Sequence, residues 1–101
     1  MEHYTIRDIK RMNKNSGLHW FSPDTMRFFR SRVGDKVYQG NGGVYFISSE
    51  QFVGSDGRSG ERMYTVRKFD PVTASIDTVG DFNKLTYQQA RYAASKLAKG
   101  E

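Results

Sequence analysis

The sequence predicts a small α+β domain in which two helices precede a four-stranded antiparallel sheet and a last helix packs on one face of that sheet. Apolar residues recur at helical spacing before residue 34 and after residue 86, whereas the stretch between them is rich in β-branched and aromatic residues interrupted by glycines. The 101 residues are enough for one domain, with a core over 18–99 and an N-terminal helix within 1–17. The predicted order is α-α-β-β-β-β-α.

The first predicted helix begins after Thr5. Thr5 can cap this helix, and Asp8, three residues on, can act as the second member of a capping box. Ile6 and Ile9 mark the apolar side, and the polar stretch 13–17 ends the helix. Because a helix of about ten residues is marginal in isolation, we expect it to be either docked on the core or frayed.

The second predicted helix runs from Thr25 to Val33. Ser22 is its N-cap, and Pro23 fits the first helical position, where the missing N–H would have no partner in any case. Its apolar face contains residues at i, i+3 and i+7, namely Met26, Phe29 and Val33. Gly34 is the predicted stop signal.

Four strands are predicted next, at Lys36–Gln39, Val44–Ser49, Arg62–Phe69 and Ser75–Val79. The first two are joined by the glycine-rich turn 40–43, and a polar loop at 51–60 separates the second from the third. The last two are joined by Asp70–Thr73, which has proline at the second position of a type I turn. All these connections permit antiparallel pairing.

The register of the last predicted hairpin follows from its turn. If one bulge residue, Ala74, follows the four-residue turn, Phe69 faces Ser75 and Arg67 faces Asp77. An Arg–Asp pair directly across a hairpin stabilises it by only a few tenths of a kcal/mol to about 1 kcal/mol, but it favours this register. The pairing predicts that Asp77 neutralises Arg67.

The last helix has the strongest local signals. Thr86 caps it, and Gln89 completes a capping box three residues on. Its apolar stripe consists mostly of small residues, namely Ala90, Ala93, Ala94, Leu97 and Ala98. Small side chains allow a helix to lie close to a sheet, and Gly100 is the predicted end of the helix.

Composition excludes several classes of protein. The chain has no cysteine, which excludes a disulfide framework, a thiolate metal site and a cysteine nucleophile. The two histidines, His3 and His19, have no carboxylate at ligand spacing, and the acidic residues are scattered through turns, so we expect no metal, no cofactor and no enzymatic activity. No apolar run is long enough to span a membrane, so we expect a cytoplasmic protein without a membrane partner.

The net positive charge of the chain indicates what kind of partner it could bind. Lys and Arg number 16 against 11 acidic residues, a net charge of +5, and the excess falls on the predicted helices. Such an excess is typical of a solvated helix surface or of a surface that contacts phosphates. The candidates for contact with nucleic acid or another partner are Arg27, Arg30, Arg32, Arg58, Arg62, Arg67, Lys68, Arg91 and Lys96. Arg58 lies at the tip of the glycine-rich loop, which could order on contact.

Aromatic residues make up 14% of the chain, and leucine and isoleucine are scarce. We therefore expect most aromatic side chains to fill the core. The alternative is that a few of them, such as Tyr45 or Phe69, lie on an uncovered face of the sheet and form a stacking platform for bases.

Four segments resemble a family of short, uncharacterised proteins from phages and other mobile elements. They are HWFSPDTMRFF at 19–29, VYFISSE at 44–50, YTVR at 64–67 and IDTVGDF at 76–82. The likeness spans about residues 16–98. It implies a mobile-element origin and no particular activity.

Residues 44–98 are also similar to the AP2-type and integrase-arm DNA-binding domains. The similarity consists of three strands followed by a capped helix, with Gly80-x-Phe82 ahead of the cap. In those domains an uncovered three-stranded sheet enters the major groove, so the resemblance implies a DNA-binding architecture. The chain departs from that pattern in carrying few basic residues on the hairpin, namely Arg62, Arg67 and Lys68.

Two functions therefore remain open. The first is a small basic binding protein of a phage or mobile element that contacts nucleic acid or a host nucleoprotein. The second is a protein-binding inhibitor of a host defence complex, of the anti-CRISPR type, or an adaptor that does not touch nucleic acid. Neither function requires a small-molecule cofactor.

Overall fold

The middle layer of the protein is one four-stranded antiparallel sheet with its strands in chain order. The computed structural model describes residues 4–22, 26–27, 30–51, 60–80 and 82–100. The elements are α1 (Ile6–Asn15), β1 (Arg32–Gly40), β2 (Gly43–Glu50), β3 (Met63–Phe69), β4 (Ile76–Val79) and α2 (Tyr87–Lys99). The predicted fold class is confirmed. None of the described helices is long and apolar enough to cross a membrane.

Helix α2 covers one face of the sheet. Its small residues Ala90, Ala94 and Ala98 are buried against a sheet surface that includes Tyr45 and Ile47. The predicted capping box is present at its start, and Gly100 ends it in the left-handed conformation at φ 86°. The alanine stripe therefore positions this helix, as the spacing predicts.

The opposite face of the sheet is covered in part by α1. Ile9 is fully buried there in a cluster with Phe46 and Phe69. The buried Asn13 amide donates to the Ala74 carbonyl at 2.9 Å and accepts from the Trp20 N–H at 2.7 Å. These contacts tie the helix to two other segments, so α1 is docked and not frayed.

Gly40 and Gly42 of the β1–β2 turn are required by close packing against α2. A Cβ on Gly40 would lie 2.5 Å from the Ala98 carbonyl oxygen, and a Cβ on Gly42 would overlap the Leu97 carbonyl oxygen. The Gly42 N–H donates to the Ala98 carbonyl at 3.0 Å. The turn therefore satisfies a carbonyl at the C-terminal end of α2, where helices leave such groups unpaired.

The predicted extent of the second helix is wrong at its C-terminal end. Arg32 and Val33 belong to β1 and pair with β2, and the ladder is irregular between Val33 and Val37. Gly34 lies within this irregular stretch of the strand and does not end a helix. Pairing across the sheet has overridden the local helical spacing. Met26 and Arg27 are helical, whereas 23–25 and 28–29 lie outside the described residues.

The predicted register of the β3–β4 hairpin is also wrong, by one residue. Arg67 is opposite Thr78, and Lys68 is opposite Asp77. The cause is a longer connection, because the Asp70 N–H donates to the Ser75 carbonyl and closes a six-residue loop. A shift of one residue exchanges the faces on which side chains meet, so Asp77 does not neutralise Arg67.

Candidate functional site

A trough lies between β1 and α2, near the N-terminal end of the helix. It consists of two depressions of about 220 and 350 Å³ that adjoin at Lys36 and Tyr38. We call it the tyrosine–basic trough and define it by Arg32, Lys36, Tyr38, Tyr64, Tyr87, Arg91 and Tyr92. Strand β1 contributes the first three, β3 contributes Tyr64, and α2 contributes the last three.

The tyrosines of α2 reach the trough because they lie off the apolar stripe of the helix. Tyr87 is 49% exposed and Tyr92 is 68% exposed, whereas the alanines of the same helix are buried. The Tyr87 ring lies against Tyr64, with centroids 5.2 Å apart and an interplanar angle of 54°. Large aromatic side chains left on a protein surface are typical of recognition sites.

Each of three tyrosines at the trough has a cation over its ring. Lys36 Nζ lies 4.9 Å from the Tyr38 centroid, and the Arg91 guanidinium carbon lies 5.5 Å from the Tyr87 centroid. Lys96 Nζ, from the next turn of α2, lies 5.6 Å from the Tyr92 centroid. Such contacts stabilise by about 0.5–1 kcal/mol at exposed sites and hold long basic side chains close to the rings.

The trough is electropositive. Arg32, Lys36 and Arg91 line it, and Arg62 approaches it by donating from Nη1 to the Ser49 hydroxyl at 2.9 Å. Among the described lining residues, Asp35 is the only acid. Several cations that line one concave surface attract anions from solution, and the phosphates of nucleic acids are one such class of anion.

The structure brings four of the predicted contact residues together at this trough. Arg32 and Arg91 line it, Arg62 reaches the adjoining Ser49, and Lys96 flanks it on α2. These four residues lie far apart in the sequence, at positions 32, 62, 91 and 96, so only the fold makes them neighbours.

Other predicted contact residues lie elsewhere. Lys68 is exposed opposite Asp77, with its ammonium group 5.9 Å from the Tyr45 ring centroid. Arg27 and Arg30 are exposed and do not line the trough. Arg58 lies outside the described residues.

Arg67 is a buried residue, which corrects its prediction as a partner contact. Its guanidinium lies between the rings of Trp20 and Phe82, 5.1 and 5.3 Å from their centroids. It donates to the Ser48 hydroxyl at 2.9 Å and has a carboxylate oxygen of Glu50 at 3.8 Å. Burial lowers the pKa of Arg67, and the neighbouring Glu50 partly offsets that effect.

The predicted stacking platform on the sheet is wrong. Tyr45 and Phe69 are both buried, the first beneath α2 and the second in the cluster with α1. The core interpretation of these two aromatics is therefore confirmed. Sequence reasoning missed Tyr87 and Tyr92, although a signal existed: both are aromatic residues placed off the alanine stripe of an amphipathic helix.

The comparisons with known proteins give a family but no activity. Residues 5–97 match the model of a family of unknown function, DUF7447. No curated protein and no solved structure matches the chain. The prediction that the chain resembles an uncharacterised family is confirmed, in that this family has no known function.

Proposed function

We propose that this protein, which belongs to that family, is a small non-enzymatic nucleic-acid-binding protein and that the tyrosine–basic trough is its contact surface. One observation carries the proposal: the exposed Tyr87 and Tyr92 rings and the basic side chains of Arg32, Lys36 and Arg91 line two adjoining depressions. Nucleic acid is the class of partner that offers both phosphates for the cations and flat bases for the rings.

The basic groups supply the part of the binding that does not depend on sequence. Each phosphate neutralised by a Lys or Arg releases counterions, which makes affinity fall with salt. Helix α2 supports this role because its 13 residues include Arg91, Lys96 and Lys99 and no acidic residue. The net charge of +5 acts in the same direction by favouring encounter with a polyanion.

A mobile-element origin remains part of the proposal, carried by the sequence resemblance to phage proteins. In that setting the nucleic acid could be free or could belong to a host nucleoprotein. The alternative is anti-CRISPR-type inhibition of a defence complex through protein contacts alone. The experiment must distinguish this alternative from nucleic-acid binding.

The test is the salt dependence of binding to labelled duplex DNA, single-stranded DNA and RNA, between about 50 and 200 mM salt. The trough variant combines Lys36→Ala with Arg91→Ala. The matched control combines Lys10→Ala with Lys14→Ala, which removes the same charge from exposed positions on α1, across the sheet. The trough variant should reduce the log–log salt slope by about 1.4–1.8, because each lost contact contributes about 0.7–0.9, and the control should leave the slope nearly unchanged.

Equal losses in the two variants would show that net charge, and not the trough, determines binding. If the unchanged protein binds none of the three nucleic acids at 50 mM salt, the proposed function is wrong. A protein partner would then be sought, for which truncation of an interface aromatic should cost about 2 kcal/mol or more with weak salt dependence.

A further inference from the structure

We infer that the tyrosine–basic trough takes a single strand, with unpaired bases stacked on Tyr87 and Tyr92. This inference rests on the proposed function and names the substrate class for the same site.

The exposure of Tyr92 has no structural explanation in the packing of the core. Its ring is 68% exposed, and the hydrophobic cluster beneath α2 is formed by other residues of the helix. Tyr87 is 49% exposed and uses the rest of its ring against Tyr64. A base stacked on either ring would remove apolar surface from water, and every base has a flat face that can do so.

The shape of the trough favours an unpaired strand over a duplex. The major groove of a duplex, about 12 Å wide, is commonly read by a helix or ribbon that projects into it. Here the basic and aromatic groups lie in a depression between β1 and α2, with volumes of about 220 and 350 Å³ in its two parts. Such a depression accepts separate flat rings more readily than the wide surface of a duplex.

Cations already lie over the Tyr87 and Tyr92 rings, so a base would stack on the ring surface that these cations leave exposed. Arg91 lies 5.5 Å from the Tyr87 centroid, and Lys96 lies 5.6 Å from the Tyr92 centroid. Lys36, on β1, lines the same depression as Arg91 and Tyr92. A strand whose bases stack on that exposed ring surface would have Lys36, Arg91 and Lys96 near its phosphates, and single-strand binding surfaces likewise combine a basic groove with aromatic rings.

The experiment compares a labelled twelve-nucleotide oligothymidine with a hairpin duplex of similar length by fluorescence anisotropy. Tyr92→Ala should weaken binding of the single strand by about five-fold to a hundred-fold, the range for loss of one stacked base. Tyr92→Phe keeps the ring and should bind like the unchanged protein. Val72→Ala is the matched control, because Val72 is 93% exposed on the β3–β4 loop.

The outcomes separate this inference from the proposed function. If the trough charge variant Lys36→Ala/Arg91→Ala weakens binding but Tyr92→Ala does not, nucleic-acid binding stands and base stacking is overturned. If the duplex binds as tightly as the single strand and Tyr92→Ala affects both equally, the single-strand inference is overturned as well. Because Tyr92 is exposed, unchanged thermal melting of Tyr92→Ala will confirm that lost binding does not reflect unfolding.

Discussion

Replacement of Arg67 by methionine should destabilise this protein more than most single substitutions. The reason is Glu50, which is 1% exposed and has Arg67 as its cationic neighbour at 3.8 Å. Its Oε1 accepts a hydrogen bond from the Thr65 hydroxyl at 2.8 Å, but Oε2 has no hydrogen-bond partner among the described residues. Arg67→Met would therefore leave a buried carboxylate with the Thr65 hydrogen bond but without its neighbouring cation.

The magnitude follows from the kind of contact that is lost. Breaking a buried ion pair by removing one partner costs about 3–5 kcal/mol. The 3.8 Å separation is long for such a pair, and methionine refills much of the volume, so we expect about 3 kcal/mol. This is a large share of the roughly 5–15 kcal/mol that a domain of this size has available.

The assay is urea unfolding followed by circular dichroism. With a slope of about 1.5 kcal/mol per molar, a loss of 3 kcal/mol lowers the midpoint by about 2 M. Lys68→Met is the matched control, because Lys68 is the next residue on the strand and is exposed, and it should change stability by less than about 0.5 kcal/mol.

A double-mutant cycle tests the physical reason. Glu50→Gln removes the charge with almost no change of shape, so Glu50→Gln/Arg67→Met should recover about 1–2 kcal/mol relative to Arg67→Met alone. If Arg67→Met costs less than about 1 kcal/mol and the cycle shows no coupling, the reasoning about an uncompensated buried charge is refuted.

Three further predictions concern the contacts that fix the helices. Gly42→Ala should lower the melting temperature by roughly 10 °C, because its Cβ would overlap the C-terminal backbone of α2, whereas Gly34→Ala, with open space around its Cβ, should change it little. Asn13→Ala should cost about 2–3 kcal/mol in urea unfolding, since it leaves the buried Ala74 carbonyl and the half-buried Trp20 backbone N–H unpaired, and a cost below about 0.5 kcal/mol would contradict this. Hydrogen bonds from the backbone N–H and hydroxyl of Thr5 hold the pKa of Asp8 below its ordinary value of 3.8. A depressed carboxyl pKa stabilises the folded state above pH 3.8, and that contribution is lost as the pH falls through the folded-state pKa. An NMR titration of the Asp8 carboxyl with a midpoint at or above 3.8 would contradict this assignment.

The two ends of the chain were the most predictable parts of the fold. Both capping boxes, at Thr5 and Thr86, are present as the spacing predicts, and Gly100 ends the last helix. These signals involve residues three or four positions apart, so they require no knowledge of the rest of the fold. The second predicted helix failed where sheet pairing competed, because Arg32 and Val33 gain ladder partners on β2 that a local pattern cannot reveal.

The basic residues of the candidate site could be predicted from the sequence. Their arrangement beside exposed tyrosines could not. The predicted contact residues Arg32, Arg62 and Arg91 do meet near one trough. Their neighbours Tyr87 and Tyr92 were missed, because exposure of an aromatic side chain depends on what the remaining elements cover.

The sequence by itself determined the number and type of the strands, the caps of both described helices, the alanine stripe of α2 and the net positive charge. Only the tertiary structure decided that Arg67 points inward to Glu50 and that tyrosines from β1, β3 and α2 meet beside cations. The physical reason is the two-residue period of a strand. The pairing of β2 with β3 puts Arg67 on the same face of the sheet as Ser48 and Glu50, whereas the six-residue β3–β4 loop decides only which β4 residue lies opposite Arg67.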